Sequence, residues 1–212
     1  GIVVNPDGTT RHVPTKIVLI DGKYYATINS LTNSVYSVVW HPYEFRDVVN
    51  HWAKDSINNM GSRMVVSGIG EGIYEPDRNM TRAEFATIIV KALGLAPGEG
   101  KAGFKDVSSG DWYNGYVKTA AEYGIIAGYT DGSFGPTQQI TREQAMAMIA
   151  RTIGITDLDV TLASDEEKEL LGNYSDSRAI SNYARNSIAQ CVKAGIVSGR
   201  TAATIAPAEN IT

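Results

Sequence analysis

Two arginines occupy positions that local helix energetics do not favour. Arg82 follows Thr81 and Arg142 follows Thr141, and each pair opens an apolar periodic segment. A glutamate or glutamine three residues after each threonine completes a capping box, which predicts a helix start at both sites. A cation in the first helical turn faces the positive end of the helix dipole, which costs a few tenths to about 1 kcal/mol. The capping box does not explain either arginine.

The chemistry that suits this placement is anion binding. A helix N-terminus with free amides beside a guanidinium is a good site for a carboxylate or a phosphate. We therefore predict that Arg82 and Arg142 bind an anionic ligand. The alternative is an internal salt bridge, for which Asp47 and Asp106 are the obvious partners because each opens its repeat at a fixed position.

The elements that must position these arginines recur along the chain. Trp52 and Trp112 are 60 residues apart, as are Gly68 and Gly128, and a third copy follows after a further 71 residues with Tyr183 in place of the tryptophan. A fixed period of this kind indicates a repeated supersecondary unit. The tryptophans begin predicted first helices, where an aromatic is either a packing residue or a ligand platform. The glycines end those helices, where we expect positive φ and close approach of a ligand.

Each repeat has the pattern of a helix, a loop and a second helix. We assign residues 45–95 to module 1, 104–155 to module 2 and 174–212 to module 3, which ends before its second helix. Residues 156–173 form a charged insertion, predicted to be a short surface helix or loop. In module 1 the apolar spacing predicts a first helix from about His51 to Val66, with Trp52 and Met64 on its stripe, and a second helix from Arg82 to Leu93.

The first 44 residues have a different composition. They are rich in β-branched and aromatic residues, and Asp21-Gly22 is a strong signal for a two-residue hairpin. We predict a small antiparallel β segment. Three strands are few for independent stability, so this segment either packs on the repeats or is the tail of a larger upstream β domain.

Composition and charge exclude several classes of function. A net charge of -4 argues against a nucleic-acid binder, which needs a basic face. No apolar run approaches the roughly 18 residues of a membrane span. Cys191 is the one cysteine and is predicted to be buried, and the three histidines lack metal-site spacing, so we expect no metal, cofactor or catalytic histidine. No carboxylate pair is left unexplained for glycoside hydrolysis, so we expect no enzyme activity.

Three motifs carry a resemblance to a known family. They are Phe104-Lys105-Asp106-Val107, Gly124-Ile125-Ile126-Ala127-Gly128 and Ile140-Thr141-Arg142-Glu143, and related versions recur in the other modules. The chain resembles the S-layer homology (SLH) family over about residues 45–212. The resemblance implies a mainly α fold in which three helix-loop-helix modules are arranged with pseudo-threefold symmetry around a central bundle of first helices, preceded by the β segment.

The resemblance also implies a function. Members of this family anchor surface proteins noncovalently to the wall of Gram-positive-type bacteria by binding secondary cell wall polysaccharide, typically through pyruvate ketals on N-acetylmannosamine, in grooves between modules. The motif arginines would meet the pyruvyl carboxylate, which corresponds here to Arg82 and Arg142. The other motif positions have weaker claims on the ligand and are Asp47, Asp106, Trp52, Trp112, Gly68 and Gly128. The alternative is a structural, self-associating module of a surface layer without direct glycan binding.

Overall fold

The computed structural model describes residues 1–156 and 158–212, in which six α-helices and five short strands are connected by long loops. The strands are β1 Ile2–Val4, β2 Thr10–His12, β3 Thr15–Ile20, β4 Lys23–Ile28 and β5 Val35–Ser37. The helices are α1 Lys54–Ser62, α2 Arg82–Ala92, α3 Asn114–Glu122, α4 Arg142–Ile153, α5 Glu166–Gly172 and α6 Arg185–Lys193. Modules 1 and 2 each contain two helices, α5 lies in the insertion, and α6 is the first helix of module 3.

The N-terminal segment forms two small antiparallel sheets. In the first sheet β1 lies between β2 and β5, and in the second β3 pairs with β4. Both residues of the connecting Asp21-Gly22 turn have positive φ, as the predicted hairpin requires. Arg11 Nε donates a hydrogen bond of 3.0 Å to the carbonyl of Gly94, and Arg63 Nη1 donates one of 3.0 Å to the carbonyl of Thr15. These contacts hold the β segment against module 1.

The expectation of a mainly α fold is wrong, because the structure is 30% helical and 14% strand, with six helices and two small sheets among the described residues. Helical periodicity overestimated the first helix of module 1. Trp52 lies in a turn before α1, and Met64 follows α1 with a φ of 62°, the left-handed conformation that commonly ends a helix. The loop between α1 and α2 is also longer than either helix. Apolar spacing alone does not show where a short helix stops.

The helices pack between modules. Instead of the expected central bundle of first helices, α2 packs on α3 of the next module and α4 packs on α6. Val90 of α2 shares a buried cluster with Val117 and Ala120 of α3. Cys191 of α6 is buried, as predicted, and donates a hydrogen bond of 3.4 Å from Sγ to the carbonyl of Met146 in α4. Each second helix therefore joins its own module to the next.

A ring of three backbone hydrogen bonds marks the point where the modules meet. The amide of Met80 donates to Ile211 at 2.8 Å, the amide of Ile211 donates to Ile140 at 3.1 Å, and the amide of Ile140 donates to Met80 at 3.0 Å. Met80 and Ile140 directly precede the threonines that cap α2 and α4. This ring fixes the starts of both second helices beside the end of module 3.

The charged insertion contains a short helix packed on module 3. Leu171 of α5 is buried, and two ion pairs join α5 to α6. Glu167 lies 3.0 Å from Arg185, and Glu166 lies 2.7 Å from Lys193. The insertion thus covers one side of α6 and combines an apolar contact with charged ones.

Buried His12 gives the fold a pH dependence. Burial, reinforced by the nearby charge of Arg63, lowers the pKa of His12 from 6.5 to about 4. In the unfolded chain His12 becomes protonated below about pH 6.5, whereas in the folded chain it stays neutral down to about pH 4. The free energy of unfolding therefore falls as the pH falls through this window. Between pH 7 and pH 5, His12 should lower the free energy of unfolding by about 2 kcal/mol. We expect the His12→Gln protein to lack this contribution, because glutamine does not titrate. Urea denaturation of both proteins at the two pH values measures this, and equal pH dependence would contradict it.

Candidate functional site

The arginine of the first capping box is buried and bound to its own chain. Arg82 is 4% exposed, and its Nε donates a hydrogen bond of 2.9 Å to the carbonyl of Phe134 in module 2. Its guanidinium carbon lies 4.9 Å from the ring centroids of both Tyr129 and Phe134, a cation–π geometry. Burial lowers the pKa of Arg82. The side chain connects module 1 to a loop of module 2.

The second motif arginine repeats this arrangement with more exposure. Arg142 Nε donates a hydrogen bond of 2.8 Å to the carbonyl of Ile205 in module 3, and Nη2 lies 3.4 Å from the carbonyl of Ser198. Burial lowers the pKa of Arg142 as well, although the side chain is only partly buried. Part of this guanidinium remains accessible.

The helix starts are capped as predicted, but their first amides are occupied. Both capping boxes, at Thr81 and Thr141, are confirmed. The amides of Arg82 and Ala83 donate hydrogen bonds of 2.9 and 3.0 Å to the carbonyls of module 2 residues 138 and 136, and the equivalent amides of α4 donate to carbonyls of module 3. The free amides assumed in the anion-binding argument are therefore bound to the next module.

The motif aspartates bind backbone amides of the loops that precede the second helices, and in module 2 this is the loop whose Phe134 carbonyl accepts from Arg82. The carboxylate of Asp106 accepts hydrogen bonds of 2.8 Å from the amides of Phe134 and Gly135. Asp47 accepts the equivalent amides in module 1. Burial acts to raise the pKa of Asp106, but these amides outweigh it and the pKa lies below its ordinary value. Among the described residues no ion pair joins Asp106 to Arg82, and the two instead bind opposite ends of the Phe134 backbone.

The repeated aromatics are exposed. Trp52 is 90% exposed, Trp112 62% and Tyr183 58%. Trp112 makes an edge contact with the ring of Tyr113 beneath it, at a centroid distance of 5.3 Å. An indole that packed in a core would be largely buried, so these side chains present their faces outside the core.

Trp112 and Gly68 line a cavity of about 320 Å³ between modules 1 and 2, which we call the module 1–2 groove. The cavity lies beside α2, the loop from residue 65 to 69 and the loop from residue 74 to 80. Its lining residues are Val65, Val66, Ser67, Gly68, Ile69, Tyr74, Glu75, Arg78, Met80, Glu84, Thr87, Ile88, Lys91, Trp112 and Thr212. The other predicted site residues lie outside this lining.

The groove lining includes the polar residues Thr87 and Lys91 of α2, and the Nζ of Lys91 lies 5.6 Å from the ring centroid of Tyr116. Within residues 1–156 and 158–212, Lys91 has no ion-pair partner, and its Nζ lies 3.4 Å from Ser67 Oγ. Burial lowers the pKa of Lys91. Thr87, one helical turn away, has a buried hydroxyl for which the described chain offers no hydrogen-bond partner. Arg78 differs, because Glu84 lies 2.7 Å from it.

In module 2 the corresponding place is filled by Arg82, whose guanidinium lies over Tyr129 and Phe134, the counterparts of Ile69 and Tyr74. Thr212, the counterpart of the capping residues Thr81 and Thr141, also lines the cavity.

The comparison with known families agrees with this repeat. The S-layer homology domain matches residues 44–86, 103–146 and 173–212. The chain belongs to the SLH family. The resemblance predicted from the motifs is thereby confirmed, and each of the three matched segments contains the motif aspartate, the repeated aromatic, which is exposed, and the first helix of its module.

Relatives of this SLH chain include enzymes and surface proteins. It is 35% identical to an amylopullulanase of Thermoanaerobacterium thermosulfurigenes, covering 88% of this chain and 10% of that protein. It is 33% identical to exoglucanase XynX of Acetivibrio thermocellus, covering 84% and 16%. It is 44% identical over 94 residues to the middle cell wall protein of Brevibacillus brevis, covering 42% and 9%. The chain thus spans a small part of the relatives' length.

The SLH modules place the chain at the bacterial cell surface, as predicted. SLH domains bind cell wall polymers. Among the described helices, none has the length and apolar character needed to cross a membrane.

Sequence reasoning missed the polar residues of α2 that line the groove. Lys91 and Arg151 occupy the same position of their SLH repeats, so a second repeated cation was visible in the sequence. It was overlooked because it lies near the end of a helix, where a cation is favoured by the dipole and needs no other explanation. No sequence signal pointed to Thr87, because its repeat counterpart is Ala147.

Proposed function

We propose that this chain anchors a surface protein noncovalently to the bacterial cell wall by binding an acidic secondary cell wall polysaccharide in the module 1–2 groove. The observation that carries the proposal is that one cavity is lined by the exposed indole of Trp112 and by Lys91, whose ammonium has no ion-pair partner among the described residues. Membership of the SLH family supports the class of ligand.

Each of these groups matches one part of a pyruvylated sugar. The indole of Trp112 offers a flat apolar face for the C–H side of a sugar ring. The ammonium of Lys91 suits the carboxylate of a pyruvate ketal, since charge-assisted hydrogen bonds are the strong ones. A cavity of about 320 Å³ is also in the size range of small-ligand sites. Pyruvylated N-acetylmannosamine is the residue we propose.

The motif arginines take different parts in this proposal. Arg82 is buried and holds the Phe134 loop, so we assign it to shaping the modules rather than to ligand contact. Arg142 keeps accessible surface, and we retain it as a candidate for a second contact with a pyruvyl carboxylate. Asp47 and Asp106 support loops through backbone amides. Trp52 remains a proposed sugar platform outside the module 1–2 groove.

Two substitutions test the groove. Lys91→Gln removes a charge-assisted contact worth about 1.5 to 3 kcal/mol, so affinity for purified wall polymer is expected to fall about 10- to 100-fold. Trp112→Ala removes the platform, and a loss of at least about tenfold is expected. The matched controls are Trp40→Ala, whose indole is 92% exposed outside the repeats, and Lys101→Gln in an exposed loop. Both controls should bind like the original chain.

The same binding experiment separates the alternative function. Full affinity in both groove variants would refute the proposed site. No affinity of the original chain for any wall polymer, together with concentration-dependent self-association, would favour a self-assembling surface-layer module. We infer further that the chain is an anchor rather than a catalyst, and in the enzymes among its relatives the matched segment is a small share of the length.

A further inference from the structure

We propose that two copies of this chain associate by pairing the free edges of their β4 strands. β4, which spans Lys23–Ile28, lies outside the three segments that match the SLH domain. The proposal therefore assigns an interaction surface to the N-terminal β segment, and it does not depend on which polymer the SLH modules bind. The partner of β4 is β4 of a second copy.

The hairpin leaves one edge of β4 open. Among the described residues, β3 is the one strand that pairs with β4, in a register that places Ile20 opposite Lys23 beside the turn. In a two-residue hairpin the residues that flank the turn exchange both backbone hydrogen bonds, and bonded pairs then alternate along the strands. The backbone groups of Tyr24, Ala26 and Ile28 consequently point away from β3. They form a row of donors and acceptors along the free edge.

The other strand edges of the β segment are covered or short, whereas the β4 edge is neither. On the β3 edge the carbonyl of Thr15 accepts a hydrogen bond from Arg63, and Arg11 of β2 donates one to Gly94. β5 has three residues. Natural proteins protect edge strands by such covers, by shortness, or by charged residues and prolines within the strand. Residues 24–28 are mostly exposed and contain no charged residue and no proline.

One face of the hairpin is apolar and exposed. Directly opposite residues share a face, so the pair Leu19 and Tyr24 lies beside the pair Ile17 and Ala26. Ile17 is 57% exposed, Leu19 60% and Tyr24 79%. A two-stranded hairpin is marginally stable in water, and an exposed apolar edge strand favours association with another strand. Strand addition is therefore the arrangement that stabilises this hairpin.

The sequence of β4 is complementary to itself in the antiparallel direction. A two-fold axis at Ala26 places Ala26 opposite its own copy and Tyr24 opposite Ile28 of the second copy. Each outward-facing residue then exchanges backbone hydrogen bonds with an outward-facing residue of the other strand. Pairs of an aromatic and a β-branched residue stabilise antiparallel strands, and Lys23 lies opposite Asn29, so no like charges are directly opposed.

The pairing is expected to be transient. One pair of short strands buries less than the roughly 1,200 Å² below which protein interfaces are typically weak. The dimer should therefore form at high local concentration, as on a crowded surface, and dissociate on dilution. A dimer also presents two anchors to one polymer chain, which increases its avidity for the wall. This last consequence alone rests on the proposed function.

Substitution of Ala26 tests the pairing, because its exposed side chain lies at the proposed axis. Sedimentation equilibrium over a range of concentrations should show a monomer–dimer equilibrium for the original chain. In Ala26→Lys like charges meet at the axis, and association should weaken about tenfold. Ala26→Glu should weaken it similarly. An equimolar mixture of the two variants should associate again, since opposite charges then meet.

The matched control is Ile17→Lys, which introduces the same charge on the cross-strand neighbour of Ala26, away from the β4 edge. It should associate like the original chain, and thermal unfolding checks that each variant is folded. An equal loss of association in Ile17→Lys and Ala26→Lys would show that the apolar face joins the chains, which overturns the edge pairing. An original chain that stays monomeric at all concentrations would overturn the whole inference.

Amide hydrogen exchange of the original chain gives a test that needs no substitution. The amides of Tyr24, Ala26 and Ile28 point outward, so in dilute solution they should exchange faster than those of Tyr25 and Thr27. At concentrations where the dimer forms, the outward amides should slow several-fold and the other two should change little. Unchanged exchange in a dimeric sample would contradict pairing through β4. Polymer binding is measured separately, so its absence would refute the proposed function and leave this inference standing.

Discussion

Replacing Arg82 by alanine is expected to lower the free energy of unfolding by about 3 kcal/mol, because the change removes a buried charge-assisted hydrogen bond and its cation–π contacts. The carbonyl of Phe134 would also lose its partner. Arg142→Ala, at the equivalent but partly exposed position, should cost about half as much. The exposed Arg178 gives the matched control, and Arg178→Ala should change stability by less than about 0.5 kcal/mol.

Urea denaturation measures these differences, and polymer binding is measured on the same proteins below their unfolding transitions. The result that would contradict the structural role is a fully stable Arg82→Ala protein that has lost its affinity for the polymer. That result would indicate that Arg82 contacts the ligand, as the motif alone suggested. A less stable Arg82→Ala protein whose folded fraction keeps its affinity for the polymer would support the structural role of Arg82.

Gly128→Ala is the second substitution with a large expected effect. A Cβ at this position would lie 2.5 Å from Cε1 of Phe104 and 2.7 Å from the carbonyl oxygen of Ser133. Because a backbone oxygen cannot move aside as a flexible side chain does, we expect a loss of about 3 kcal/mol. The matched control is Gly103→Ala, where a Cβ meets nothing within 4 Å and stability should stay within about 0.5 kcal/mol.

This prediction also replaces an expectation about backbone conformation. Gly68 has a φ of 65°, as expected, whereas Gly128 is not among the residues with positive φ. Glycine is required at residue 128 by the close approach of Phe104 and Ser133. Equal thermal unfolding of Gly128→Ala and Gly103→Ala would show that the site relaxes without cost and would contradict this explanation.

The sequence predicted the parts of the fold that depend on local chemistry. The capping boxes located the starts of α2 and α4, and α2 ends at Ala92, one residue before the predicted Leu93. The long loops were underestimated, because apolar residues such as Met64 continue the helical spacing after the backbone has left the helix. These shorter helices and longer loops keep the helical content below that of the mainly α fold that the resemblance implied.

The site was harder to predict because its residues are joined by distant contacts. The partner of Arg82 is a backbone carbonyl 52 residues away, and a carbonyl has no signature in a sequence. The choice between packing and exposure for Trp112 was also open, since an aromatic at a helix start satisfies either description. The groove itself became visible only when Lys91 and Trp112 were placed on one cavity.

The central claim is that Lys91 meets the carboxylate of a pyruvylated wall sugar in the module 1–2 groove. The most direct measurement is the affinity of the original chain and of Lys91→Gln for wall polymer before and after chemical removal of the pyruvate ketal. If the ammonium and the carboxylate are partners, removing the ketal should weaken the original chain at least about tenfold and leave Lys91→Gln nearly unchanged. An equal loss in both proteins would show that the ketal binds elsewhere and would contradict the claim.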